Sequence, residues 1–175
     1  KRRVPDCSLC VEVAYLDIDQ MRSTFTELAM LLLGDAKQAK SFMSKAKLHS
    51  MEELEDSWWN LYEKLLSTGR AVELSLKIEL EDFLYNVQKL IHNKNVSTDE
   101  NLTGDVSIDT AAFDDSQCIG DWCAHFNSTW KNHKLVGMDI GTDSLVLMVL
   151  SNEEFKRAQE LAKELLHRID VAERL

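Results

Sequence analysis

The stretch Leu135–Leu150, LVGMDIGTDSLVLMVL, constrains the fold of this chain more than any other. Two apolar runs flank a short polar centre, IGTDS. Gly141 offers a positive φ, and Asp143 and Ser144 suit a turn closed by local side-chain hydrogen bonds. The pattern predicts a β-hairpin, and an exposed hairpin alone is not stable in water. The chain must therefore supply further strands and a covering layer.

The surrounding sequence supplies both. Met21, Phe25, Leu28 and Leu32 recur at helical spacing from Asp19 to about Leu33, with Gly34 as a stop and Asp35 as the next cap. A second helix is expected from Ala36 to about Leu48, with Ala39, Phe42, Met43 and Ala46 on one side and lysines on the other. Ser50-Met51-Glu52-Glu53 is a capping box. It opens a helix that carries Leu54, Trp58, Leu61, Tyr62 and Leu65 and ends at Thr68-Gly69. The period then changes to two: Val72, Leu74 and Leu76 alternate with Glu73, Ser75 and Lys77, as in a half-buried strand. Helical spacing returns through Leu80, Phe83, Leu84, Val87, Leu90 and Ile91. The polar segment from about 93 to 109 reads as a flexible loop. A helical region from about Thr110 to His133, broken at Gly120, leads into the hairpin. Ser151-Asn152-Glu153-Glu154 is a second capping box, and a last short strand is expected at Arg168–Val171.

These elements predict a helix-rich α+β fold. N-terminal helices are followed by a small antiparallel sheet of three to four strands, with helices packed on one face. Residues 1–175 form a single domain in this reading, with a helical part at about 19–68 and an α+β part at about 70–175. A chain of 175 residues can bury a core without staples.

Charge restricts the partners. There are 30 Asp and Glu against 20 Lys and Arg, a formal net charge of -10. Such a chain repels nucleic-acid backbones and anionic membranes and attracts basic proteins. No apolar run reaches the roughly 18 residues of a membrane span. The basic start KRRVPDCSLCVEVAYLDID is interrupted by Glu12, Asp17 and Asp19, which makes a poor signal peptide. Its first residue is Lys, so a trimmed or processed end is expected. The triplets at Asn95, Asn101 and Asn127 are read as chance matches to the glycosylation pattern. A cytoplasmic, bacterial setting is the expectation.

Few residues suggest chemistry. Cys7 and Cys10, taken with Cys118 and Cys123, have the ligand count of a structural zinc site. The loose second spacing and the basic tail before Cys7 argue instead for reduced thiols, so neither a metal nor another cofactor is expected. The acidic runs at Glu52–Asp56 and Glu79–Asp82 sit at helix starts, where acids complement the helix dipole. His49, His92 and His167 are expected at the surface. No Gly-rich phosphate loop, serine elbow or helical histidine pair is present. Trp58 and Trp59 cannot both face a core, because neighbouring helix positions point about 100° apart.

The segments AVELSLKIELEDFLYNVQKL and HKLVGMDIGTDSLVLMVLSNEEFKRAQELAKEL together resemble an uncharacterised bacterial family, a domain of unknown function. The resemblance spans about residues 70–168. It is carried by Ser75-Leu76-Lys77-Ile78-Glu79 and Asp143-Ser144-Leu145. It departs at Leu76 and Leu145, where the family pattern has aromatics. It implies a fold and no activity.

The functional expectation is a non-enzymatic, acidic module that binds a basic protein, in the manner of toxin-neutralising proteins. The expected partner surface is Glu52, Glu53, Glu55 and Asp56 with an exposed Trp58 or Trp59 beside them. The alternative is a small enzyme or ligand-binding domain. Its carboxylate-lined cleft would join Asp114, Asp115 and Trp122 to the hairpin residues Asp139, Asp143 and Ser144.

Overall fold

A computed structural model describes residues 17–98, 106 and 108–175 of the chain. Its elements are α1 (Ile18–Leu33), α2 (Ala36–Met43), α3 (Met51–Ser67), β1 (Val72–Ser75), α4 (Leu80–Thr98), α5 (Ile119–Thr129), β2 (His133–Met138), β3 (Ser144–Ser151), α6 (Asn152–Glu164) and β4 (Ile169–Val171). The four strands form one antiparallel sheet in the order β1-β3-β2-β4. The fold is α+β and helix-rich, with β2 and β3 as the hairpin at its centre.

Local chemistry sets the helix ends. Asp17 caps α1 by accepting from the Asp19 amide. Gly34 ends it at φ 65°, its N–H donating to the Met30 carbonyl. The Arg70 side chain lies over this turn, and Nε donates to the Leu32 carbonyl at 3.2 Å. The positive φ of Gly34 is what favours glycine here, and a Cβ at Gly34 would also displace the tip of the Arg70 side chain. Asp35 then caps α2 through the Lys37 amide at 2.7 Å. The box opening α6 is complete: the Glu154 amide donates to Ser151 Oγ and the Ser151 amide to Glu154. The box opening α3 is modified. The Glu53 amide donates to Ser50 Oγ, but the Glu53 carboxylate accepts from His49 N–H at 2.8 Å.

The layering differs from the expectation of helices on one face. Val136, Met138, Val146, Met148 and Leu150 pack with α1, α3 and α6. Leu135, Leu145, Leu147 and Val149 pack with β1, α4 and α5 on the opposite face. The physical reason lies in β3, whose residues Leu145 to Leu150 are all apolar and all buried. A strand without polar alternation needs cover on both sides.

Three boundaries also differ. α2 stops at Met43 rather than near Leu48, although Leu48 is still buried. α4 runs on to Thr98, through residues expected in the loop beginning near 93. Tertiary partners hold the helix where the loop was expected to begin: Asn93 Nδ2 donates to the Gly69 carbonyl, and Lys94 is buried and paired with Glu154. Residues 99–105 and 107 of that expected loop lie outside the described residues. Gly120 sits in the first turn of α5 and does not break it.

Candidate functional site

Helix α3 presents the expected partner surface, and its geometry separates the two neighbouring tryptophans. Leu54, Trp58, Leu61 and Leu65 face the core. With about 100° per residue, Glu52, Glu55, Asp56, Trp59 and Glu63 fall within one arc of about 100° on the outer side. All five are exposed. Glu53 stands apart, half-buried, with its carboxylate accepting from the His49 amide ahead of the helix.

Trp58 is a core residue at 2% exposure. Its Nε1 donates to the Asp139 carbonyl at 2.9 Å, which ties α3 to the end of β2. Trp59 is 42% exposed and stands at the middle of the acidic arc. Its ring meets Tyr62 edge-on, with centroids 5.3 Å apart and planes at 83°.

Tyr62 is itself held. Its hydroxyl donates to Glu73 Oε2 at 2.7 Å, and Ser144 Oγ donates to Glu73 Oε1 at 2.5 Å. Two hydrogen bonds, from Ser144 first, keep the Glu73 carboxyl below its ordinary range. Burial, aided by Glu73, raises the Tyr62 phenol to about 12. The network joins α3, the edge strand β1 and the first residue of β3, so the exposed Trp59 leans on a fixed support. Tyr62 and Glu73 were not legible as site residues. Tyr62 counted as a core position in the helical pattern, and Glu73 counted as the solvated member of an alternating strand.

His167 is a further correction, because it is not at the surface. Its side chain is 10% exposed. The ring stacks on Trp58 at 4.0 Å and 7°. Leu166 turns the chain between α6 and β4 at φ 61°, and this turn brings the imidazole inward. Nε2 is buried without a hydrogen bond, 3.7 Å from Glu55 Oε1. Burial lowers the imidazole pKa, against the opposing pull of Glu55 and Asp139.

The hairpin residues Asp139, Asp143 and Ser144 do come together. With Thr142, Leu76 and Leu175 they line a hollow of about 90 Å³ at the turn. Within it the Gly141 amide, at φ 70°, donates to Asp139 Oδ1, and Thr142 Oγ1 lies 2.7 Å from Ser144 Oγ. Asp114, Asp115 and Trp122 are not on its wall. Trp122 is buried against Phe83, and its Nε1 donates to the Asp114 carbonyl. The Asp114 carboxylate closes its own loop on the Ser116 amide, which lowers its pKa. Asp115 is exposed. The hollow at the hairpin turn thus gathers three of the six residues of the alternative cleft, Asp139, Asp143 and Ser144.

Cys118 opens α5, its thiol 3.2 Å from Asp121 Oδ2. Cys123 is buried in the core, where loss of water pushes its thiol up to about 12. Cys7 and Cys10 lie outside the described residues. Asn127, in one glycosylation-like triplet, is buried and bonds both the N–H and the C=O of Leu135.

Comparison with known proteins gives one match. The family model described as Domain of unknown function (DUF6630) matches residues 15–172. This span is wider than the resemblance at 70–168 and takes in the N-terminal helices. No curated protein and no solved structure matches the chain.

Proposed function

The chain belongs to the family described as Domain of unknown function (DUF6630), and from that premise we propose that it is an acidic module whose α3 face docks a basic protein. One observation carries the reading: Trp59 stands exposed and braced at the centre of the arc formed by Glu52, Glu55, Asp56 and Glu63. Carboxylates attract a basic surface at long range, and an aromatic anchor that is already ordered adds short-range binding at little entropic cost. The Tyr62–Glu73–Ser144 chain supplies that order. Neutralising or escorting the partner is the biological role this surface suits, without catalysis.

We assign the module to the cytoplasm of a bacterium as part of the same proposal. The buried Asn127 and the buried thiol of Cys123 support it. No helix among the described residues is long and apolar enough to cross a membrane.

The test starts from a partner captured from the native lysate with the wild-type chain. Stopped-flow kinetics then separate the two parts of the surface. Charge reversal at Glu52 and Glu55 should slow association and flatten its dependence on salt, with a Debye length of about 8 Å at physiological ionic strength. Trp59→Ala should speed dissociation about 30-fold, or about 2 kcal/mol. Unchanged rates in both variants would remove α3 from the interface.

A further inference from the structure

We propose that the cleft between α2 and α3 is a binding site for a small organic anion carrying an aromatic or apolar group. This site adjoins the acidic arc and shares Glu63 with it. The cleft measures about 550 Å³. That is within the about 300–1,000 Å³ usual for small-molecule sites. It arises because α2 is only eight residues long and packs mainly against α1. The facing stripes of the two helices are left apart.

The wall has a composition that suits an anion. Phe42, Lys45 and Ala46 come from α2 and the turn after it, and Asn60, Glu63 and Lys64 from α3. The chain as a whole has ten more acids than bases, yet this wall carries two ammonium groups against one carboxylate. Neither Lys45 nor Lys64 makes a side-chain hydrogen bond or ion pair among the described residues. Lys156 and Lys163 on α6 are exposed and likewise unpaired among these residues, so what sets Lys45 and Lys64 apart is that both line one concavity. The Asn60 amide also has no hydrogen-bond partner among the described residues. Donors from both helices therefore converge on one concavity with unspent capacity, and a concave wall focuses the field of its charges.

The floor explains the second half of the ligand. Phe42 is half-buried, with its ring 6.1 Å from that of Phe25, and Ala46 is partly covered beside it. A flat apolar group would cover the exposed part of Phe42 while its anionic end met the lysines. Ammonium ions bind phosphate and carboxylate as point charges. An inorganic ion would gain only that term.

Phenyl phosphate, inorganic phosphate and phenol are the probes, titrated into the full chain by calorimetry. Phenyl phosphate should saturate one site. Lys45→Gln with Lys64→Gln should weaken it about tenfold or more, the loss of two charge-assisted contacts. Lys45→Gln alone, at an exposed residue without partners, should weaken it severalfold and leaves the fold intact. Glu63→Gln should strengthen it by removing the opposing charge. Lys156→Gln with Lys163→Gln makes the same change in net charge on α6 and should have no effect. Inorganic phosphate should bind about tenfold more weakly than phenyl phosphate, and phenol should not saturate. The proposal is overturned if phenyl phosphate does not saturate, if both cleft variants bind it like the wild type, or if the α6 pair weakens it equally.

Discussion

The two faces of the sheet bury the same hairpin by different means. The α4/α5 face is an aromatic core. Phe126 lies at its centre, with ring centroids at 4.9 Å from Phe113, 4.9 Å from Trp130 and 6.1 Å from Phe83. Its main inward polar group, Asn127, is spent on the backbone of β2. The α1/α3/α6 face is mostly aliphatic around Phe25, and three of its rings meet polar groups: Trp58 reaches the Asp139 carbonyl, Tyr62 reaches Glu73, and His167, stacked on Trp58, lies 3.7 Å from Glu55. The first face ends at its core. The second transmits order outward to Trp59 and the acidic arc, so scaffold and surface are assigned to opposite sides of one sheet.

That contrast can be broken most forcefully at Phe126. Phe126→Ala should cost about 3–5 kcal/mol by urea unfolding, from lost burial and the cavity left behind. Partner kinetics of the remaining folded protein should stay as in the wild type. If binding fell while stability held, the division between the faces would be wrong. Asn127→Ala comes next. It leaves the Leu135 N–H and C=O without partners in a buried place, which should cost about 2–3 kcal/mol.

His167 sharpens the comparison through pH. Its folded pKa lies below the ordinary value of 6.5. Below that value the unfolded chain binds the proton more readily than the native state does. The stability His167 contributes is therefore complete above pH 6.5 and is lost as pH falls through the window below it. His167→Gln should remove that part of the slope, read as the difference in urea midpoint between about pH 7.5 and about pH 5.5. An identical slope in variant and wild type would show that the imidazole does not titrate differently on folding. The smallest effect is expected at Trp59. Trp59→Ala should change stability by less than about 0.5 kcal/mol, as at other surface positions. A loss comparable to that of Phe126→Ala would make Trp59 part of the scaffold.

Much of the fold was legible because its signals are local. Capping at Ser50 and Ser151, the stop at Gly34, the turn at Gly141 and the alternation of β1 each depend on neighbours within a few residues. The acidic start of α3 was likewise visible, since charge and helical spacing are read directly from the chain. Other features depended on packing between distant segments. Periodicity could say that Trp58 and Trp59 diverge but not which one enters the core. That choice follows from the Asp139 carbonyl and the His167 ring, which lie 81 and 109 residues further along. The brace under Trp59 joins Tyr62, Glu73 and Ser144 across three elements, and burial of His167 follows from one left-handed residue before it. The α2/α3 cleft exists only because two neighbouring helices fail to pack together. Hydrogen bonds and apolar burial reward contact in space regardless of separation in sequence, so these features were decided by the tertiary structure.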